Sequence, residues 1–354
     1  MGSAESSREN LPTVSVIVSF LNSARTIENC LFNVMHQDYP RDSFDVVVVD
    51  GGSRDDSAEI CKRLESRFKN LRLIVLPGCS ESEGQIAAIA ASKGEVIMFT
   101  NSDIYVPRSW IRMHVHWLEE GFDLVGGRVF WGGDKFAFTW NVPSPDGPQY
   151  EQQPGMGLGF SNCSVRRDDL IAVGGLAKLQ SQHDSEFALR MVKQGRRLIL
   201  DPAIEVYHDH PLRSLGGSFR RSYGYARNHV IVSRNSYGRP IPGSSQTARR
   251  FLLSAIKEGA LINSLLVYKE LYPKAKQHDI TVGFFEFTFI RLLSAKLGQA
   301  FGILAGTMVP RASTSLIRDL HGPEGSGSEA PTSRKLHFGP NEEEAPAKQT
   351  VATM

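Results

Sequence analysis

The chain has 354 residues, of which 41% are hydrophobic and 22% are charged, with 32 glycines, 18 prolines and four cysteines. This length and apolar content exclude a wholly disordered chain and suffice for one large domain or two modest ones. The cysteines lack a CxxC pair and the net charge is +2, which argues against a disulfide framework, a cysteine-based zinc site and a globally basic nucleic-acid-binding protein.

Short β-branched runs alternate with amphipathic segments between residues 14 and 124. Nearly continuous apolar runs predict strands buried on both faces, at residues 14–20, 45–50, 71–76 and 95–100. The segments between and after them predict helices near residues 25–36, 56–67, 84–92 and 108–120. This alternation predicts an α/β fold with a mostly parallel sheet and helices on both faces, in which ligands bind beyond the carboxyl ends of the strands.

The pattern becomes irregular in the middle of the chain. Residues 126–154 are rich in glycine and proline and predict a loop and short-strand region. A strand is predicted at 159–167 and a helix at 183–193. Two short edge strands are predicted at 196–201 and 204–210.

The composition changes after residue 212. Between Glu205 and Arg250 there are eight arginines and only two acidic residues. Two apolar helical stretches follow, at 249–271 and 280–309, and the longest charge-free run of the second is shorter than the about 20 residues of a spanning helix. This second stretch is typical either of an amphipathic helix lying on a bilayer or of a helix packed on the core or in a dimer interface.

We predict four regions along the chain. Residues 1–12 form a disordered leader, and residues 13–240 form the α/β domain. Residues 241–310 form a C-terminal helical region, which is membrane-associated in the first of the two interpretations just given. Residues 311–354 are polar, rich in Gly, Ser and Pro, and predicted to be a disordered tail.

Polar residues follow the predicted strands, where an α/β sheet binds its ligands. Asp50 and Gly51 place a carboxylate and flexible backbone at the sheet edge, which suits contact with a base or a ribose. Asp103 follows a buried strand, where its carboxylate can ligate a hard divalent cation that also binds a diphosphate. A turn-forming aspartate is the ordinary alternative.

Further candidates lie in the second half of the domain. Asp184 begins a predicted helix and is either a helix cap or a general base that removes a proton from a hydroxyl group. His208 and His210 share one face of a strand-like segment, which is compatible with a metal or phosphate site and with structural histidines. The glycine run at 155–159 follows a proline and opens no helix, so it predicts backbone that covers a sugar and not a dinucleotide fingerprint.

In order and spacing, these segments resemble glycosyltransferase family 2, the inverting nucleotide-sugar enzymes of the GT-A fold. The resemblance covers Thr13–Gly238. The stretches that carry it are VSVIVSFLNSARTIENCLFNVMHQDYP, VVVVDGGSRDDS, TNSD, GFSNCSVRRDDLIAVGGL and HDSEFALRMVKQG. They resemble the family's opening strand and helix, nucleotide-binding turn, metal-binding DXD, acceptor-side strand and catalytic helix. The implied architecture is a Rossmann-like GT-A catalytic domain, followed here by amphipathic helices.

The resemblance also implies roles for individual residues. The donor nucleotide would be bound by Ser19, Phe20, Asn22, Asp50, Gly51, Gln85, Asn101, Ser102 and Asp103. The acceptor or the sugar would be bound by Gly159, Asn162, His183 and Arg227. Asp184 would be the catalytic base, and Asp103 would hold Mg²⁺ or Mn²⁺ together with His208, or with His210 in its place.

Four departures from the family pattern refine these expectations. Asn101 occupies the first DXD position, so metal binding rests on Asp103 and a histidine. Gly51 stands where the family often has an aspartate that reads the base, which leaves UDP- and GDP-sugars both open. Gln85-Ile86 replaces an Arg-Asn pair that contacts the diphosphate. The absence of QxxRW after the histidines favours transfer of single sugars over a processive synthase.

The sequence therefore predicts an inverting, non-processive glycosyltransferase that moves one sugar from a nucleoside-diphosphate sugar to a hydroxyl acceptor. The arginine-rich stretch suits an acceptor phosphate or anionic headgroups, so we expect a polyprenyl-linked saccharide or a surface-glycan precursor as the acceptor. The expected location is cytoplasmic, peripheral at the inner face of the cell membrane. Two alternatives stay open: a non-catalytic nucleotide-sugar-binding partner subunit, and a sugar nucleotidyltransferase. No nucleic-acid partner is expected, because the basic stretch lacks a recognisable module.

Overall fold

The computed structural model describes residues 11–141, 147–151, 158–179, 181–237 and 261–308. Most of the predicted leader, the start of the C-terminal helical region and the predicted polar tail lie outside the described residues. The same holds for most of the glycine run at 155–159.

The N-terminal half alternates strands and helices as the sequence predicts. The strands are β1 (Val14–Phe20), β2 (Phe44–Asp50), β3 (Leu71–Val75), β4 (Val96–Thr100), β5 (Ile104–Tyr105), β6 (Leu124–Gly132), β7 (Gln149–Glu151), β8 (Asn162–Arg166) and β9 (Leu198–Asp209). The helices are α1 (Ile27–Met35), α2 (Ser57–Glu65), α3 (Glu81–Ala91), α4 (Trp110–Glu119), α5 (Lys135–Phe138), α6 (Arg167–Ala172), α7 (His183–Lys193), α8 (Leu215–Tyr237), α9 (Leu261–Gln277), α10 (Phe284–Ile290) and α11 (Leu297–Met308).

The nine strands found in the described residues belong to one sheet, which confirms the α/β fold. Its order is β3-β2-β1-β4-β8-β6-β9-β5, with β7 also paired to β9. The first four strands in this order are parallel, whereas β8 is antiparallel to both β4 and β6. The sheet is therefore mixed beyond β4. Because β1, β2 and β4 run in parallel, the loops that follow them meet at one edge.

The two apolar layers of the core lie on opposite faces of this sheet. Alternate β1 residues point to different layers: Val16 and Val18 join α1, α2 and α4, and Ile17 joins α3 and α7. Strands buried on both faces need apolar side chains at nearly every position. This requirement explains why the runs at the predicted strands are almost continuous.

The prediction of two short edge strands at 196–201 and 204–210 is wrong. A single strand, β9, spans both segments and pairs with β6 on one side and with β5 and β7 on the other. Its register with β6 shifts between Gly127 and Arg128, so Pro202 falls in a β-bulge. A bulge tolerates proline because its residue lacks the regular ladder pairing, and the strand therefore continues through the apparent break.

The prediction that irregular chain begins at residue 126 is also wrong, because β6 runs on to Gly132. A side chain at Gly126 would collide with Leu158, and one at Gly127 would collide with the backbone of Ile204. These glycines permit close packing of neighbouring chain segments within the sheet and do not mark a loop.

The C-terminal helices pack in two places: α9 and α10 lie against β6 and α5, and α11 lies along α8. Residues of α9 and α10 form a third apolar cluster with Phe130 and Phe138. Gly298, Gly302 and Gly306 lie on the side of α11 that faces α8, where a Cβ atom at any of them would collide with that helix. Among the described residues, one helical stretch, Phe284–Gly306, has the length and apolar composition to cross a membrane, and 47% of its apolar window is buried.

Candidate active site

The loop after β2 is shaped by a buried carboxylate. Oδ1 of Asp50 accepts hydrogen bonds from the backbone N–H groups of Gly52 (3.1 Å) and Ser53 (2.9 Å) and from the Ser53 hydroxyl (2.6 Å). The N–H of Gly51 donates to the carbonyl oxygen of Phe20 at 2.9 Å. One oxygen of Asp50 is thus committed to the turn that presents Gly51 and Gly52 at the sheet edge.

Asn22 joins the loop after β1 to the loop after β2. Its backbone N–H donates to Ser53 Oγ (2.8 Å), and its Oδ1 accepts from the N–H of Arg54 (2.8 Å). Ser19 lies against Gly84 of α3, where a larger residue would collide with the Ser19 side chain. These contacts place Asn22 and Ser19 at the predicted nucleotide edge.

Phe20 was predicted to contact the donor, and for its side chain this prediction is wrong. The ring is 4% exposed and belongs to the apolar core between β1 and the helices. The last residue of a strand still alternates with its neighbours, and here that alternation turns Phe20 inward. Its backbone carbonyl, bonded to Gly51, is the part that belongs to the edge.

The TNSD segment follows β4 and divides into residues with different partners. Nδ2 of Asn101 donates to Ser161 Oγ at 3.1 Å, so this amide bridges to the start of β8. The hydroxyl of Ser102 lies 2.8 Å from that of Ser23 and is buried. The first position of the DXD-like motif therefore ties loops together, which leaves Asp103 as its ionisable member.

Asp103 lies between two histidines at the end of β9: His208 is in the strand, and His210 follows its last residue. Its Oδ1 is 3.0 Å from His208 Nε2, and its Oδ2 is 2.8 Å from His210 Nδ1. Pairing of β5 with β9 creates this geometry, since Ile104 lies opposite His208 and the Asp209 N–H donates to the Asp103 carbonyl. The three ligand atoms lie within 4.8 Å of one another, close enough to hold one metal ion.

The charges of this cluster follow from its contacts. Desolvation favours a neutral Asp103, but the hydrogen bonds and charges of His208 and His210 outweigh it and hold the pKa of its carboxyl well below the usual range. Burial lowers the pKa of His208 despite the opposing effect of Asp103. An ionised carboxylate therefore faces a neutral imidazole, whose buried Nδ1 has no partner among the residues that the structure describes.

Arg221 of α8 completes the cluster, and sequence reasoning did not single it out from the other arginines. Its Nη1 donates to His210 Nε2 at 2.7 Å, and its Nη2 donates to the Tyr225 hydroxyl at 3.2 Å. The guanidinium carbon lies 5.3, 5.9 and 5.1 Å from the ring centres of Trp131, Trp140 and Tyr225. The Arg221–Tyr225 pair at helical spacing, shortly after His210, was the available sequence signal.

Asp184 is the second residue of α7 and follows a left-handed Gln182 (φ 63°). Its Oδ1 accepts the N–H of Ser185 at 2.7 Å. The position where Gly159 would carry a Cβ atom is 3.3 Å from Asp184 Oδ2, so a side chain at residue 159 would crowd this oxygen. One carboxylate oxygen thus contributes to the helix start, and the other lies beside bare backbone.

Glu81, the first residue of α3, connects the two halves of the candidate site electrostatically. Desolvation by the surrounding protein raises the pKa of its carboxyl. The side chains whose charges act on it are His183, Asp184, Asp103 and Arg221. The metal-type cluster and the candidate base therefore lie within electrostatic range of one carboxyl, and the edge of the sheet where β1, β2 and β4 end, together with these groups, is here called the cleft.

Two other predicted residues carry buried polar atoms without partners in the described part of the chain. His183 is 4% exposed, packs beside Phe160 with ring centres 5.5 Å apart, and has both ring nitrogens unpaired. Gln85 of α3 is buried with its Oε1 unpaired. Such groups are rare in folded proteins and are compatible with contact to a polar ligand.

The assignment of Asn162 to acceptor binding is wrong. Its side chain is 1% exposed, and its Oδ1 accepts from Trp110 Nε1 (2.8 Å) and lies 3.0 Å from His114 Nε2. Its Nδ2 donates to the carbonyl oxygens of Arg128 and Ile204. Every hydrogen-bonding group of this amide is used to tie strands and α4 together.

Arg227 lies on α8, half-buried, with Nη1 3.5 Å from Asn228 Oδ1. Asn228 in turn donates to Ser181 Oγ at 3.0 Å, which joins α8 to the segment before α7. Arg227 lies six residues, about 1.7 helical turns, after Arg221 along α8.

This fold is that of the GT-A glycosyltransferases. The structure is similar to that of the mannosyltransferase PcManGT from Pyrobaculum calidifontis, solved in complex with GDP-Man and Mn²⁺, with a TM-score of 0.58 and 20% sequence identity. The match covers 84% of this chain and 88% of that one. At this identity the likeness shows the architecture alone.

The sequence comparisons support one family. The model described as glycosyl transferase family 2 matches residues 15–174, and together with the glycosyltransferase relatives this match supports a family 2 glycosyltransferase. Glycosyltransferase AglE of Haloferax volcanii is 29% identical over 238 residues, which are 63% of this chain and 74% of AglE. Undecaprenyl-phosphate 4-deoxy-4-formamido-L-arabinose transferase of Pseudomonas savastanoi pv. phaseolicola is 38% identical over 87 residues, so the chain spans only 25% of that relative. The family match ends before Asp184 and the two histidines.

Proposed function

We propose that the protein transfers a single sugar, with inversion, from a UDP- or GDP-sugar to a hydroxyl acceptor. The observation that supports this most strongly is that Asp103, which two histidines contact, and Asp184, 81 positions later in sequence, both act electrostatically on the carboxyl of Glu81. The cleft opens at the carboxyl edge of the parallel strands, where α/β sheets bind nucleotides. The match to the glycosyl transferase family 2 model supports this reaction class.

In this proposal Asp103, His208 and His210 hold a divalent cation. The donor set fits, because it combines an ionised carboxylate with imidazole nitrogens, one of them buried and unpaired. Imidazole suits Mn²⁺ better than Mg²⁺, which prefers oxygen ligands, so we expect Mn²⁺ to be the more effective ion. When bound, the cation neutralises negative charge on the leaving diphosphate.

Asp184 is the proposed general base. Its Oδ2 lies beside Gly159, and the lack of a side chain at this glycine supports the approach of an acceptor hydroxyl from that side. Positioned proton removal makes the hydroxyl oxygen nucleophilic, and attack opposite the leaving nucleoside diphosphate inverts the anomeric centre. We assign the donor nucleotide to the edge formed by Ser19, Asn22 and the Asp50 turn.

We further propose a lipid-linked or other glycan acceptor, reached at the inner face of the cell membrane. Phe285 and Phe289 of α10 are 79% and 58% exposed, which is unusual for large apolar side chains. One relative, matched over a quarter of its length, is named for an undecaprenyl-phosphate substrate. Together with the arginines of α8, these features suit a surface that carries anionic headgroups.

The experiment is a panel of UDP- and GDP-sugars with Mn²⁺, read as nucleotide release with and without a polyprenyl-phosphate acceptor. The proposal expects one donor class to give Mn²⁺-dependent release that increases when acceptor is added. If the protein binds a donor but neither releases the nucleotide nor transfers the sugar under any of these conditions, the proposal is contradicted and a non-catalytic partner subunit is supported.

A further inference from the structure

We propose that Arg221 and a divalent cation compete for His210, and that Arg221 contacts the diphosphate once the cation has displaced it. This inference rests on the proposed function for the identity of the cation site. In this proposal the Arg221 guanidinium lowers the affinity of the site for the cation when no nucleotide is bound. When a diphosphate is present, the same guanidinium raises that affinity.

The competition follows from the hydrogen-bonding capacity of the two groups. Arginine only donates, so the 2.7 Å contact requires a lone pair on His210 Nε2 and places the ring proton on Nδ1, towards Asp103. A cation bound at Nε2 would need the lone pair that Arg221 uses. A cation bound at Nδ1 would leave the proton on Nε2, facing an N–H of Arg221. Either way, a cation on His210 is incompatible with this contact.

The surroundings of Arg221 allow it to leave His210 without leaving the cleft. Trp131, Trp140 and Tyr225 form an aromatic cage around the guanidinium carbon of Arg221, with ring centres 5.3, 5.9 and 5.1 Å away, and this cation–π attraction depends little on where the N–H groups point. Its Nε is buried without a partner in the described part of the chain. The aromatic cage therefore holds a guanidinium whose Nε–H group is available to a further acceptor.

A diphosphate is the ligand class that would use those donors. Guanidinium groups bind phosphate oxygens with two parallel hydrogen bonds, which a compact ammonium group cannot reproduce. A diphosphate bound to a cation at Asp103 would lie beside this cage. Arg221 is thus inferred to weaken cation binding alone and to strengthen the binding of cation and nucleotide together, a coupling that must act equally in both directions.

The test measures Mn²⁺ affinity of the full chain by electron paramagnetic resonance, without nucleotide and with UDP or GDP. For Arg221→Met we expect Mn²⁺ without nucleotide to bind about tenfold more tightly than to the wild type, because a charge-assisted contact no longer opposes it. The nucleotide should then raise Mn²⁺ affinity about tenfold less in the variant than in the wild type. Arg220→Met, which removes the exposed neighbouring arginine, should match the wild type in both measurements.

Two further variants keep the test decisive if Arg221→Met is poorly folded. Arg221→Lys retains a cation in the aromatic cage and should lose most of the nucleotide effect, because lysine lacks the paired donors. In a His210→Ala background, Arg221→Met should no longer tighten Mn²⁺ without nucleotide. Equal Mn²⁺ affinity of wild type and Arg221→Met without nucleotide would overturn this inference alone. Absence of Mn²⁺ binding in both would overturn it together with the proposed cation site.

Discussion

Asp103 and His114 show how the surroundings of single ionisable side chains set their charge. Asp103 is held ionised because two imidazoles contact its oxygens, and this prepares it for a cation. His114 lies outside the cleft and is held neutral by burial, with Nδ1 at 2.9 Å from Ser164 Oγ and Nε2 bonded to Asn162. The first arrangement serves chemistry and the second serves the fold.

The buried His114 predicts acid sensitivity. Burial lowers its pKa from 6.5 to about 4, so between these values the unfolded chain binds a proton that the folded chain does not. Stability attributable to this group should be lost as the pH falls from about 6.5 towards 4, by on the order of 3 kcal/mol. In urea denaturation, the free energy of unfolding of His114→Gln should depend less steeply on pH over this range than that of the wild type. His116→Gln, at an exposed position of the same helix, should keep the wild-type dependence. An unchanged dependence in His114→Gln would contradict this account.

At the scale of elements, α8 connects the cleft to the C-terminal region. It carries Arg221 and Tyr225 on one side and packs against α11 on another, where Gly302 approaches the backbone of Tyr223. Close helix packing through small residues at every fourth position leaves no room for added atoms. The position of Arg221 should therefore depend on α11 as well as on α8.

This packing gives a prediction with a matched control. Gly302→Ala places a methyl group against the α8 backbone and should lower the free energy of unfolding by about 1–3 kcal/mol in urea denaturation. Gly224→Ala, in α8 itself, meets nothing within 4 Å and should be neutral or stabilising by up to about 1 kcal/mol. Equal stability of the two variants would show that α11 does not pack as described.

The elements also show what the sequence could and could not reveal. β1, β2 and β4 were predictable because strands buried on both faces need continuous apolar residues. β9 was misjudged because Pro202 looks like a strand end, and only the register with β6 reveals the bulge that accommodates it. Long-range pairing of this kind leaves no local pattern.

The same limit applies to the site. Asp103, His208 and Asp184 stand at strand or helix ends, so motif order was enough to select them. The direction in which a side chain points was not available, and Asn162 and Phe20 point into the core. Arg221 reaches His210 only through the packing of α8 against the sheet, and a row of arginines gives no local reason to choose it.

At the scale of the whole molecule, the cleft and the exposed phenylalanines of α10 belong to one chain, and we propose that they meet a membrane together. Removing both rings should weaken binding to vesicles of anionic phospholipid at least about tenfold, because each buried ring contributes about 1.5–3 kcal/mol. We expect this for the double substitution Phe285→Ser and Phe289→Ser in co-sedimentation. Phe32→Ser, at a comparably exposed ring on α1, should bind as the wild type does. Equal binding by all three proteins would contradict a membrane role for α10.

The central claim is that Asp184 removes the acceptor proton in the cleft that also binds the donor. The most direct measurement compares donor binding and the single-turnover transfer rate of the wild type, Asp184→Asn and Asp168→Asn, an exposed carboxylate on α6. We expect Asp184→Asn to bind the donor normally and to transfer sugar about 10²- to 10⁴-fold more slowly, and Asp168→Asn to behave as the wild type does. Transfer by Asp184→Asn at near the wild-type rate would contradict this claim.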